Sequence, residues 1–135
     1  MDITLLNNIS KNTLASHLEI EFTGAGENWL TATMPVNEKT QQPFGYLHGG
    51  ASLALAETIA STGSWALSDP DKQQVFGIQV SGNHIATAHK GFVTATARIV
   101  HKGKQTHTWD VTITNEKGKE ISLCRVTNMI VKKKQ

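Results

Sequence analysis

The segment from Ala51 to Ser68 restricts the fold more than any other feature of this sequence. Small and apolar residues occupy nearly every position in it, so the implied helix has no obvious solvent face. A helix that is apolar all round has to be buried on all sides. Glu57 and several Ser and Thr residues interrupt the run, which is typical of a core helix rather than a membrane span. We therefore expect the rest of the chain to surround this helix.

The segments on either side of the helix are mostly strand-like. Residues 2–16 predict short amphipathic helical turns, and His17–Thr23 and Trp29–Val36 predict two strands joined near Gly24–Gly26. Four segments rich in β-branched residues follow the helix: Val75–Ile85, Phe92–His101, Thr106–Thr114 and Ile121–Val131. Because no helical crossover separates these four, the sequence predicts an α+β fold, an antiparallel β-sheet wrapped around a long central helix.

Composition predicts a single cytoplasmic domain over residues 1–135. A chain of 135 residues with 39% hydrophobic residues is large enough to bury one core. The single cysteine, Cys124, cannot form an intramolecular disulfide, and the N-terminus lacks the pattern of a secretory signal. A net charge of +2 and an aromatic content of 6% do not indicate a nucleic-acid partner, and we expect no membrane partner.

Glu57 is the residue from which a functional interpretation starts. It is the only charged residue between Gly49 and Ser68, and burial of a bare carboxylate is costly. One interpretation is structural, with the carboxylate paired to an arginine such as Arg98 or Arg125. In the other interpretation, the carboxylate takes part in a chemical reaction. The helix by itself does not distinguish between them.

The segment from Gln42 to Gly50 brings an amide, an imidazole and two glycines to the start of the helix. Backbone N–H groups without helical partners point outward at such an end, and the helix dipole makes it positive. Glycine allows a close approach, so this end suits a developing oxyanion, with Gln42 and His48 as possible further donors. The alternative is a capped helix start in which the glycines serve only tight packing.

The run QPFGYLHGGASLALAETIAS closely resembles the motif of hotdog-fold thioesterases of the Arthrobacter 4-hydroxybenzoyl-CoA thioesterase type. The ATMPV strand, the segment Gly82–His84 and the strand that contains Trp109 are also similar to bacterial 1,4-dihydroxy-2-naphthoyl-CoA hydrolases. The resemblance covers almost the whole chain. It implies a hotdog fold and hydrolysis of an acyl-CoA, with an aromatic or naphthoyl acyl group favoured, to the free acid and CoA.

The resemblance also implies roles for individual residues. Glu57 would be the nucleophile or general base, and the backbone N–H of Gly49, with Gln42, would polarise the thioester carbonyl. His48 would help to hold the thioester, and Ser61, one turn after Glu57, would assist the carboxylate or its water. The positions implied to contact the rest of the substrate are Gly77, His84, Ile85, Ala86, Thr87, His101, Gly103, Lys104, Gln105 and Thr106. Among them, Ala86, Lys104 and Gln105 depart from the residues expected in such enzymes.

Helix geometry adds an expectation about assembly. With a rise of about 1.5 Å per residue, Gly49 and Glu57 lie roughly 12 Å apart along the axis, too far to grip one carbonyl. We therefore expect at least a homodimer in which a second copy supplies the Gln42 and Gly49 end. The resemblance further implies a homotetramer. We expect no metal and no organic cofactor, since CoA is part of the substrate and the sequence contains no ligand cluster at zinc spacing.

Two other functions are compatible with such a fold. A hydratase or dehydratase acting on enoyl-CoA would also use a histidine and a carboxylate near the helix start, but the arrangement of residues around Gln42 and His48 favours the thioesterase. A non-catalytic acyl-CoA binding protein or sensor would need a DNA-binding module, and no helix-turn-helix pattern precedes the sheet.

Overall fold

The structure, a computed structural model, describes residues 1–134. Its helices are α1 (Ile3–Ile9), α2 (Leu14–His17) and α3 (Gly49–Leu67). Its strands are β1 (Glu21–Ala25), β2 (Trp29–Pro35), β3 (Gln73–His84), β4 (Phe92–Lys102), β5 (Thr106–Thr114) and β6 (Glu120–Lys132). The strands form one antiparallel sheet in the order β1-β2-β4-β5-β6-β3, and α3 packs against strands β2 to β6. This confirms the predicted sheet around a central helix.

Burial of α3 differs from the sequence prediction. One face of the helix is buried in the curve of the sheet, and its members are Ser52, Leu55, Ala56, Ile59, Ala60, Gly63 and Ser64. The opposite face, which includes Glu57, Thr58 and Ser61, is only half-buried. The prediction of burial on all sides is therefore wrong for the single chain, because one curved sheet covers one face of a helix. Among residues 1–134, no helix has the length and apolar character needed to cross a membrane.

The first predicted strand begins too early. His17 is the last residue of α2, and β1 starts only at Glu21. The cause is local: Thr13 and Ser16 form a capping box that stabilises the N-terminus of this short helix. Glu19 then takes a φ of 59°, a left-handed conformation that turns the chain into the strand.

Strand β5 matches its predicted bounds and shows the clearest alternation. Buried and half-buried residues alternate along its whole length, and His107, Trp109, Val111 and Ile113 face inward. The large Trp109 ring fits because Gly63 of α3 has no side chain. A Cβ at that glycine would stand 2.6 Å from a ring carbon of Trp109. The contact sets how closely α3 lies on the sheet.

Strand β3 forms one edge of the sheet and pairs only with β6. Most of its residues are exposed, and the side chains of Phe76 and Ile78 remain about half exposed. A long, exposed edge strand carries unpaired backbone groups that favour pairing with another chain. This edge lies beside the half-buried face of α3.

Candidate active site

The loop before α3 is held in shape by the side chain of Gln42. Its Oε1 atom accepts hydrogen bonds from the backbone N–H groups of Phe44 at 2.6 Å and Tyr46 at 3.2 Å. Gly45 adopts a φ of +87° inside this turn, which glycine tolerates without strain. Because the atom that receives these two N–H groups must be the amide oxygen, the Nε2 group of Gln42 points elsewhere and can donate to another acceptor. Gln42 is thus presented as a donor.

His48 caps the N-terminus of α3. Its Nδ1 atom accepts a hydrogen bond of 2.8 Å from the N–H of Gly50, so in the neutral imidazole the proton is on Nε2. The N–H of Gly49 donates to no atom within residues 1–134. The positive end of the helix therefore offers at least one unused backbone donor.

His84 lies directly against this helix end. Its Nδ1 atom is 2.8 Å from Oγ of Ser122, and a Cβ placed on Gly49 would stand 2.8 Å from Nε2 of His84. Only glycine at this position lets the imidazole approach the helix end so closely. Six residues predicted to belong to the site line one cleft of about 340 Å³, namely Gln42, Gly49, His84, Ile85, Ala86 and Thr87.

Glu57 lies near the middle of α3, outside this cleft. Its carboxylate faces Gly77 of the edge strand β3, where an added Cβ would stand 2.6 Å from Oε2. Within residues 1–134, Glu57 takes part in no salt bridge. Arg125 instead donates to Asp110 at 2.7 and 3.0 Å, and this contact raises the pKa of Arg125. Neither Arg98 nor Arg125 forms a salt bridge with Glu57 within residues 1–134, so the structural interpretation that pairs Glu57 with one of them is wrong.

Ser61 follows Glu57 by one turn on the same half-buried face. Its hydroxyl is 3.2 Å from Oδ1 of Asn128, a fully buried side chain of β6. Asn128 in turn contacts Ser64, whose hydroxyl also contacts His107 and Trp109. No motif in the sequence had indicated this network.

The signal for the network was present in β5. The alternation placed His107 on the same inward face as Trp109, and an inward-facing imidazole requires a polar partner in the core. His107 is 3% exposed. Burial lowers the pKa of its imidazole, and electrostatic interactions with Lys102 and His101 lower it further. The group is thus held in its neutral form.

The β4–β5 hairpin lies at the other end of α3. Gly103 and Lys104 line a cleft of about 280 Å³ together with Leu67 and Ser68, at the C-terminal end of the helix. Lys104 and Gln105 also line a neighbouring cleft of about 480 Å³. A helix of 19 residues is roughly 28 Å long. Within one chain, the hairpin residues His101 to Thr106 therefore lie far from Gly49.

The predicted site residues thus fall into three groups. One group lies at the N-terminus of α3, the second lies around Glu57, Ser61 and Gly77, and the third lies on the β4–β5 hairpin. The fold of a single chain does not bring these groups together.

Known proteins resemble this chain over nearly its whole length. Residues 44–122 match the sequence profile of the thioesterase superfamily. The proofreading thioesterase EntH of Cronobacter turicensis is 40% identical over 131 residues, which cover 97% of this chain and 95% of that protein. A mutant of thioesterase PA1618 from Pseudomonas aeruginosa has a TM-score of 0.96 and 38% identity, covering 98% of this chain and 96% of its own. Thioesterase HI1161 from Haemophilus influenzae has a TM-score of 0.93 and 37% identity, with coverage of 98% and 92%. The chain therefore belongs to the thioesterase superfamily, has the hotdog fold and is a thioester hydrolase.

Proposed function

We propose that this thioester hydrolase acts on acyl-CoA, with an aromatic or naphthoyl acyl group favoured, and releases the free acid and CoA. The observation that carries the proposal is the Glu57 carboxylate, which has no ionic partner within residues 1–134 and stands against a glycine. Relatives named as thioesterases support hydrolysis rather than hydration of a double bond or ligand sensing. The preference for the acyl group rests on the sequence resemblance.

Two routes use the same residues. In the first, Glu57 takes a proton from water while the water oxygen attacks the carbonyl carbon of the thioester. The oxyanion accepts hydrogen bonds from the N–H of Gly49 and from Nε2 of Gln42, and His48 helps to hold the thioester. The C–S bond then breaks, and the CoA thiolate takes the proton back from Glu57. In the second route, the Glu57 carboxylate attacks the carbonyl carbon, the C–S bond breaks and CoA leaves as the thiolate. Water then hydrolyses the resulting anhydride, which gives the free acid and the Glu57 carboxylate, and the proton that this step releases goes to the thiolate.

Assembly into at least a homodimer is part of the proposal. Gly49 and Glu57 lie roughly 12 Å apart along one helix, so neither route works within one chain. Gly77 lies on β3, an edge strand of the sheet, and the face of α3 that carries Glu57 is only half-buried. A second copy docked on this face would bring its own Gln42 and Gly49 to Glu57. The resemblance favours a further pairing of dimers into a homotetramer.

The CoA portion of the substrate is assigned to the remaining predicted positions. His84 to Thr87 line the cleft at the helix end, and we assign the contact with pantetheine to them. The β4–β5 hairpin offers the positive charge of Lys104 and the polar groups of His101, Gln105 and Thr106 to the phosphates of CoA. Gly103 shapes this turn, since its N–H bonds to the carbonyl of Thr106 at 2.9 Å.

The direct test is release of free thiol from a panel of acyl-CoAs, which should include benzoyl-CoA, dihydroxynaphthoyl-CoA and straight-chain substrates. We expect the highest kcat/KM with an aromatic acyl group. Hydrolysis confined to thioesters of another carrier would refute the acyl-CoA assignment. Equal kcat/KM for straight-chain and aromatic substrates would refute only the preference.

A further inference from the structure

Beneath the half-buried face of α3 lies a chain of hydrogen bonds between buried polar side chains. Asn128 and Ser64 are fully buried, and His107 is 3% exposed. Nδ2 of Asn128 is 3.1 Å from the carbonyl oxygen of Ala60 and 2.9 Å from Oγ of Ser64. Oγ of Ser64 is also 2.8 Å from Nε1 of Trp109 and 2.8 Å from Nδ1 of His107. At its other end, Oδ1 of Asn128 contacts Oγ of Ser61.

The position of every hydrogen in this chain can be deduced. The indole Nε1 of Trp109 can only donate, and Nδ2 of Asn128 donates to both the Ala60 carbonyl and Ser64. Oγ of Ser64 therefore accepts two hydrogen bonds, and its single hydrogen must go to Nδ1 of His107. An inverted Asn128 amide would place Oδ1 against the Ala60 carbonyl, two acceptors face to face, so this orientation is excluded. The low pKa of His107 agrees with its role as an acceptor at Nδ1.

These assignments determine what Ser61 can do. Oδ1 of Asn128 has no hydrogen, so the hydroxyl of Ser61 must donate to it. A serine inside a helix can donate back to the carbonyl four residues earlier, which here belongs to Glu57. Asn128 diverts the hydroxyl from that bond. Ser61 is left with only lone pairs to offer on the face that carries the Glu57 carboxylate.

We propose that Asn128 is a positioning residue, which holds Ser61 as a pure hydrogen-bond acceptor for the water that attacks the thioester. A water between Glu57 and Ser61 then donates one hydrogen to each of them. Both of its hydrogens are occupied, so a lone pair of its oxygen points away from the helix toward the carbonyl carbon. Proton transfer goes to Glu57, and Ser61 only orients the water. The inference rests on the proposed function of Glu57.

The test uses the variants Asn128→Leu and Ser61→Ala, alone and combined, with thiol release as the assay. Leucine has the same branching at Cγ as asparagine but lacks Oδ1, so the hydroxyl of Ser61 can return to the backbone carbonyl of Glu57. We expect kcat to fall about tenfold, the factor that corresponds to one well-placed hydrogen bond. KM should stay within about twofold, since Asn128 is buried and does not contact substrate. Asn128→Ala replaces the leucine variant if that variant does not fold.

Ser64→Ala is the matched control, because it breaks the same buried network at another point. It removes the partner of Trp109 and His107 but leaves Asn128 held by the Ala60 carbonyl and facing Ser61. We expect a loss of melting temperature similar to that of Asn128→Leu, with kcat within about twofold of the unmodified protein. An equal loss of kcat in both variants would mean that Asn128 acts only through stability, and would overturn the proposal.

The combined variant gives the sharpest result. If Asn128 acts through Ser61, then Asn128→Leu should cause no further loss of kcat in a chain that already carries Ser61→Ala. Additive losses would overturn the proposal, as would a kcat for Ser61→Ala equal to that of the unmodified protein. Neither of those results would affect the assignment of Glu57. The proposed role of Glu57 would fail if Glu57→Gln retained full turnover, so the two failures are distinguishable.

Discussion

Gly77 offers a test of how accurately the Glu57 carboxylate has to be placed. The β3 backbone runs past α3 so closely that a Cβ at Gly77 would stand 2.6 Å from Oε2 of Glu57. Ordinary van der Waals contact begins near 3.4 Å, so Gly77→Ala requires the carboxylate to move by about 0.8 Å. A displacement of about 1 Å in a catalytic group can cost on the order of 100-fold in rate. We therefore expect kcat to fall by between about 10-fold and 100-fold.

Stability should respond much less than turnover. The clashing atom is the end of a flexible side chain without an ionic partner in residues 1–134, so it can move without breaking a contact. We expect the melting temperature to change by less than about 3 °C, which corresponds to under about 1 kcal/mol for a chain of this size. Thiol release and thermal unfolding should be measured on the same preparation, together with the oligomeric state.

Gly82→Ala provides the control on the same strand. A Cβ there would stand 2.8 Å from a methyl carbon of Leu53 and 2.9 Å from Sγ of Cys124, with Glu57 absent from its contacts. This variant should lose at least as much stability as Gly77→Ala while it keeps most of its kcat. The reasoning would be refuted if Gly77→Ala retained full turnover, or if the two alanine variants lost turnover in proportion to their stability.

Four further predictions follow from the same structure. Glu57→Gln should lower kcat by orders of magnitude without loss of melting temperature. An unstable but active variant would mean that the carboxylate has a structural partner, since breaking a buried ion pair costs about 3 to 5 kcal/mol. Because the pKa of His107 is lowered in the folded state, its neutral imidazole makes its full contribution to the free energy of unfolding above the ordinary pKa of 6.5. That contribution is lost as the pH falls from 6.5 toward the folded-state pKa, so the melting temperature of His107→Gln should fall less over this range than that of the unmodified protein. Light scattering at assay concentration should give the mass of an oligomer, and a monomer that is active under the same conditions would contradict the prediction. EDTA should leave thiol release unchanged, and loss of activity restored by zinc would contradict the prediction that no metal is required.

Much of the local structure could be predicted from residue patterns alone. The alternation in β5 defined both its bounds and its inward face, because side chains of a strand point to opposite sides in turn. The apolar run of α3 identified a core helix, and the position of Glu57 within it marked a carboxylate whose burial needs an explanation. The glycines after His48 marked a helix start open to close approach, and the structure places His84 there.

Periodicity identifies the faces of an element but does not specify which faces meet. The contact between Gly77 and Glu57 exists because β6, the last strand, inserts between β5 and β3 and leaves β3 at the edge beside α3. Ser61 and Asn128 are separated by 67 positions in the chain, and their hydrogen bond depends on the register between that last strand and the helix. Helix propensity and strand alternation act over a few residues, whereas strand order and register depend on the packing of the whole core. Local patterns therefore singled out the carboxylate of Glu57, and only the tertiary structure decided which residues surround it.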